Sequence, residues 1–317
     1  MNSLETLEEQ AQEAVDRFDR YDEDLPVGRQ QVSDIFDQGD TATEEQVHDF
    51  LDQNIDFYDE VLDKDSEELR EQFHRNMRYN PDNSQIIRDI ASPSNAALAS
   101  IAGPAMWKTA ESSGFPELAL PLTAGSLAVL NFKASELSSD KVYMRGDKTI
   151  GIGKDRTAEA DAFKTTASEL FHAYQDEYDS PTWTDSFMRE GMERALSTRA
   201  LQQKDFDKQA DTYNAHILVN GYAKAADIAG EEHELDIREE AEEELQETMN
   251  SAEALEYNLP AAIIYAAEEE NSEELYSQLF EGDYSSIQPD LDQIREEERW
   301  YMKAKTGFWK AMEYLPA

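Results

Sequence analysis

Apolar residues recur at intervals of three and four along the first ninety positions, with charged residues between them. Leu4, Leu7, Ala11, Ala14 and Phe18 form one series, and Val47, Phe50, Leu51, Ile55, Tyr58 and Leu62 form a second. Each series sets its apolar members on one face of a helix, so residues 1–90 are expected to form amphipathic helices with a single buried stripe. Leu25-Pro26-Val27-Gly28 and Asp37-Gln38-Gly39-Asp40 interrupt the pattern, and Thr43-x-x-Gln46 has the spacing of a capping box at a helix start. Asn80-Pro81-Asp82-Asn83 marks a further break before Ile86, Ile87 and Ile90.

The pattern then changes. Between residues 91 and 135 only Lys108, Glu111, Glu117 and Lys133 are charged, so this block is expected to be buried between flanking helices, with a protein interface as the other possibility. Its most apolar run, residues 118–130, is too short and too interrupted by Pro121 and Gly125 to read as a membrane span. Lys141–Met144 and Thr149–Gly153 read as short strands flanking a hairpin-like turn at Arg145-Gly146-Asp147-Lys148. In the last third Leu235, Ala241, Leu245, Met249, Ala252 and Leu255 approximate one helix face, and Tyr257, Leu259, Ile263, Ile264 and Tyr265 suggest a buried helix around Pro260. The dense acids of residues 231–256 read as a solvated face, since no Asp-rich, Gly-centred calcium loop accompanies them. The tail from Trp300 to Lys310 is locally basic and aromatic, suited to docking on an acidic surface of the same chain or a partner. Three regions result: an acidic helical 1–90, an apolar core and motif-bearing 91–230, and an acidic helical 231–317.

Charge alters the expected environment. Seventy acidic against 28 basic residues give a formal net charge of -42 over 317 residues. Such self-repulsion weakens compaction in dilute buffer, whereas at molar salt it is screened over about 3 Å. The composition resembles that of extreme-halophile, haloarchaeal proteins. An acidic disordered chain is excluded by 39% hydrophobic and 10% aromatic content. Nucleic acid is not an expected partner, because no basic patch is present to neutralise phosphates. The chain has no cysteine, which leaves His, Asp and Glu as the side chains for metal chemistry. The acidic start lacks a basic segment followed by an apolar one, so a cytoplasmic protein is expected, or a virion component if the chain is viral.

The candidate chemistry lies at Thr165-Thr166-Ala167-Ser168-Glu169-Leu170-Phe171-His172-Ala173-Tyr174-Gln175. In an H-E-x-x-H helix the two histidines, four residues apart, share a face and one zinc ion, and the Glu polarises the metal-bound water. Here Ser168 occupies the first-histidine position. The segment nevertheless resembles the active helix of zincin-type metallopeptidases, and Phe187-Met188-Arg189-Glu190-Gly191-Met192 resembles the segment from which gluzincins present a third zinc ligand. The resemblance spans about residues 140–205, including the two strands and a turn at Asp179-Ser180-Pro181. It implies Glu169 as general base, His172 and Glu190 as vestigial zinc ligands and Ser168 as the substituted ligand position.

A serine hydroxyl is a poor and short substitute for imidazole, and catalytic zinc usually has three protein ligands plus water. A distant rescue would fall to His216, since it alone among His48, His74, His216 and His233 follows the motif in an apolar helical setting. Ser168 as a hydrolase nucleophile lacks an elbow, an oxyanion hole and an orienting third group. The expected fold is mostly α, of the α+β class, with helical N- and C-terminal regions around a zincin-like core and a small sheet. The expected function is that of a pseudo-metallopeptidase that binds or assembles with a protein partner, with no cofactor expected and zinc as the candidate if one binds. An active zinc metallopeptidase with an unusual ligand set and a purely structural helical protein are the alternatives.

Overall fold

In a computed structural model, the described residues are 3–20, 23–79, 141–144, 149–153, 156–175, 183–249, 251, 253–270 and 274–297. The apolar block 91–135, the turns at 145–148 and 179–181, the break at 80–83 and the basic aromatic tail lie outside them. Helices dominate, with one small sheet, as the residue pattern requires of a mostly α protein. No described helix is long and apolar enough to cross a membrane.

The chain divides into two compact units, residues 72–157 and the remainder. The smaller unit holds a three-stranded sheet of β1 (Arg78–Tyr79), β2 (Lys141–Met144) and β3 (Thr149–Ile152), in the order β1-β3-β2. β2 runs antiparallel to β3 with Lys141 opposite Ile152 and Met144 opposite Thr149, the pairing a hairpin produces. β1 joins the other edge of β3 in parallel. Ile150 and Ile152 are fully buried.

The larger unit is helical. It begins with α1 (Leu4–Arg20), α2 (Arg29–Phe36), α3 (Glu44–Leu62) and the start of α4 (Glu67–Asn76). It resumes with α5 (Glu159–Gln175), α6 (Trp183–Gln203), α7 (Asp207–Ala229), α8 (Glu239–Met249), a π-helical turn (Ala254–Asn258), α9 (Leu259–Glu270), α10 (Leu275–Phe280) and α11 (Gln288–Glu297). Both predicted N-terminal stripes face inward: Leu7, Ala11, Ala14 and Phe18 of α1 are buried with Leu4 half-buried at the helix start, and all six members of the α3 series are buried. The predicted capping box is formed, since Thr43 Oγ1 accepts from Gln46 N at 3.2 Å while Gln46 Oε1 accepts from Thr43 N at 2.8 Å. α3 then ends at Asp63 in the left-handed region (φ 53°).

α5 lies between α3 and α6, and α7 forms a central post against α1, α2, α6, α8 and α9. Small residues on α5, with Ala160, Ala162, Ala167 and Ala173 all buried, allow neighbours to approach from both sides. Its large side chains fill the seams: Phe163 meets Phe50 edge-on at 5.3 Å, and Phe171 meets Tyr58 at 5.8 Å. Each such aromatic contributes about 1.5–3 kcal/mol by burial. The Tyr58 hydroxyl donates to the Ala167 carbonyl at 2.9 Å, satisfying a polar group inside this seam.

One expected helix face is not continuous. Gly230 ends α7 with φ 75°, residues 231–238 are not helical, and α8 begins only at Glu239. Four acids among the first six residues of that stretch repel one another and disfavour a helical turn, so Leu235 is buried from a loop while Leu245 is buried from α8. The helix expected around Pro260 is α9, with Leu259, Ile263 and Ile264 fully buried. Pro260 supplies no N–H to the preceding turn, which widens into the π-helical segment, and Leu259 N bonds back to Ala254 O.

Candidate functional site

Helix α5 carries Ser168, Glu169 and His172, and the neighbouring α6 carries Glu190. Three- and four-residue spacing puts the α5 trio along one side of its helix, and α6 packs against α5. Ser168 is fully buried, Glu169 is 6% exposed, and His172 and Glu190 are half-buried. The His172 ring contacts Gln175 Oε1 through Nδ1 at 3.3 Å.

Charge ties the group together. Burial acts to lower the His172 pKa, but the carboxylates of Glu190, Glu169 and Glu193 oppose it, and the net direction is upward from the usual imidazole value. Glu190 is the strongest of the three. It is also the largest influence raising the Tyr257 phenol on the π-helical turn, ahead of burial. The structure therefore brings the predicted base and both predicted ligands, Glu169, His172 and Glu190, into one electrostatic environment. Glu193, 5% exposed and absent from the sequence reading, belongs to it as well. Its signal was the Glu190-x-x-Glu193 spacing, which places both carboxylates on one side of α6.

These donors do not fit a zinc ion. Among the described residues no three His, Asp or Glu side chains are grouped so as to hold a metal, whereas zinc needs three or more donors at about 2.0–2.2 Å. His216 is not placed to complete the set. It is 1% exposed on α7, with Nδ1 3.2 Å from the Pro26 carbonyl and Nε2 3.4 Å from Asn258 Nδ2. The nitrogen facing a carbonyl carries the proton, and the other accepts. Burial, followed by the nearby Arg194 charge, lowers the His216 pKa to about 3, so the ring is neutral.

His216 belongs instead to a second buried network beside the first. Arg194 donates to Glu253 Oε1 at 2.7 Å and to Asn258 Oδ1, and its guanidinium lies 4.8 Å from the Tyr257 ring centre. Arg29 also pairs with Glu253, and Asn220 donates to the Val27 carbonyl at 3.0 Å. The network pins the Pro26–Gly28 segment against α7 and satisfies a buried ion pair with hydrogen bonds from several directions. No local motif announces it, because its members come from α2, α6, α7 and the π-helical turn.

Gly191 has a packing role beside Glu190. A Cβ there would lie 2.6 Å from Pro260 Cβ, 2.7 Å from the Pro260 carbonyl carbon and 2.9 Å from Ala261 N. Gly221 of α7 faces the same region, with Ala262 Cβ 2.5 Å from its virtual Cβ. Two glycines thus let α6 and α7 close on α9, and the first sets the depth at which Glu190 is held. No protein-family model, curated protein or solved structure matches the chain.

Proposed function

We propose that the chain is a catalytically degenerate zincin-like protein, a pseudo-metallopeptidase that acts as a binding or assembly component in a halophilic cell or its virus. The observation that carries this reading is the convergence of Glu169 and His172 on α5 with Glu190 on α6, while a buried Ser168 stands at the first-ligand position. The order of elements supports it: an antiparallel strand pair, then the Glu169 helix, then the Glu190 helix. His172 and Glu190, 18 positions apart, come within electrostatic reach of each other on neighbouring helices, as the motif's spacing would require. The donor set favours binding over cutting, since one imidazole and a serine hydroxyl neither fix a zinc ion nor activate its water.

A purely structural helical protein is the second reading. Gly191, prominent in the motif, is explained by helix packing alone. Metal analysis of wild type and Ser168→His, purified at molar salt, separates the readings. Little zinc and no peptide hydrolysis in wild type, with higher zinc occupancy in Ser168→His, is the expected result. Stoichiometric zinc in wild type that Glu190→Ala releases would replace the proposal with an active metallopeptidase of unusual ligand set. Failure of both proteins to take up zinc would favour the structural reading.

A further inference from the structure

Toward the C-terminal end of α1, away from the charged seam, the larger unit contains a cleft of about 460 Å³ between α1, the segment around Leu25, α2 and α8. That volume lies within the range of binding pockets, about 300–1,000 Å³. Its apolar wall is incompletely covered: Val15 is buried, but Leu25, Ile237 and Ala241 are only half-buried. Acids surround that wall. Asp19 and Asp24 share Arg238, at 3.3 and 4.0 Å, whereas Glu240 and Glu244, one turn apart on α8, have no basic partner among the described residues. Two carboxylates without a counter-charge, beside partly exposed apolar surface, suit a cationic segment with apolar side chains of its own. The cleft of about 400 Å³ between α1, α6, α7 and α9 suits one less, because Arg17 and Arg199 line it, each already paired with a carboxylate at 2.6 Å.

The chain itself carries such a segment. From Arg299 to Lys310 it has four bases and no acid, together with Trp300, Tyr301, Phe308 and Trp309. Its reach is set by α11, which ends at Glu297. Ser3 N donates to Asp290 Oδ1 at 3.3 Å, so the starts of α1 and α11 adjoin. From that contact Val15 lies twelve residues along α1 and Glu297 seven along α11, which puts Glu297 at most about 35 Å from the cleft. Eleven residues of extended chain cover about 36 Å. That length brings Phe308, with Trp309 and Lys310 after it, to the cleft. At molar salt charges are screened over about 3 Å, so attraction survives only between groups in contact, and the aromatic side chains supply the rest.

We propose that the cleft between α1 and α8 is the docking surface for the chain's own basic aromatic segment, with Phe308 and Trp309 against Leu25, Ile237 and Ala241, and Lys310 beside Glu240 and Glu244. Carbodiimide cross-linking of the full chain at molar salt tests the assignment, read by peptide mass spectrometry on an equal mixture of unlabelled and heavy-nitrogen protein. The expected major product at Lys310 joins it to Glu240 or Glu244 within one molecule. Replacing Phe308 and Trp309 together by alanine should lower its yield about fivefold, the loss of an aromatic anchor, with unchanged circular dichroism. Lys310 links made chiefly to acids outside the cleft, or no link at Lys310, overturn the proposal. Links between light and heavy copies also overturn it, since the segment would then dock on a second molecule, as does a yield that the aromatic substitutions leave unchanged.

Discussion

Replacing Gly191 by alanine sets two known effects against each other. In an open helix the change favours folding by about 1 kcal/mol, since alanine restricts the unfolded chain and suits the helix. Here the added Cβ meets three atoms within 2.9 Å, two of them main-chain atoms of α9 that no rotamer change can move aside. Forcing a methyl group into such a seam costs about 1–3 kcal/mol, and backbone contacts argue for the upper end. The net expectation is destabilisation by about 2 kcal/mol, a fall in Tm of roughly 4–8 °C at the sensitivity of a unit this size. Thermal unfolding followed by circular dichroism at fixed salt reads the shift, with urea unfolding as a second measure. Because Gly191 adjoins Glu190, separation of α6 from α9 should also change the His172 titration midpoint in NMR. A Gly191→Ala protein that is more stable than wild type would refute the close approach and, with it, the packing account of Glu190.

Glu190→Gln removes the strongest charge that raises the His172 pKa, so the imidazole midpoint should fall, and an unchanged NMR titration would disprove their proximity. Since the folded pKa of His172 lies above its unfolded value, its contribution to stability is complete below about pH 6.5 and lost as pH rises through the folded value. His216 behaves oppositely. With a folded pKa of about 3, it stays neutral while the unfolded chain takes up a proton below about pH 6.5, so stability falls on acidification. From pH 7 to 5 the loss should be about 2 kcal/mol, seen as a lower urea midpoint, and His216→Gln should remove that slope; equal slopes in both proteins would contradict the buried neutral ring. Dilution from molar salt to roughly 0.1 M extends the Debye length to about 10 Å, so the near-UV circular dichroism spectrum should collapse. An unchanged spectrum there would count against the halophile reading.

Local regularities were readable without coordinates. The stripe Leu7, Ala11, Ala14 and Phe18, the Val47–Leu62 stripe and the Thr43–Gln46 box depend on contacts within a few residues, and helical periodicity encodes them directly. The strand pair 141–144 and 149–152 was readable for the same reason, since a short hairpin closes locally. Charge and composition likewise specified an acidic chain with enough apolar residues for a core. Candidate chemistry was legible in part: Glu169, His172 and Glu190 stood out by spacing, while Glu193 stayed hidden among 70 acidic residues.

Tertiary structure decided what depends on distant residues meeting. Periodicity says that a helix has a buried side, but not which helix covers it, so only the seam of α5 and α6 gives His172 three neighbouring carboxylates. The neutral state of His216 follows from burial and from the Arg194 charge on another helix, while its ring is oriented by Pro26, 190 positions away, and by Asn258. Leu235 shows the converse: apolar spacing continued a helix face that Gly230 and crowded acids had already broken. A residue's place on its own helix is fixed by backbone geometry, whereas its protonation, partners and available space are set by groups brought to it through folding.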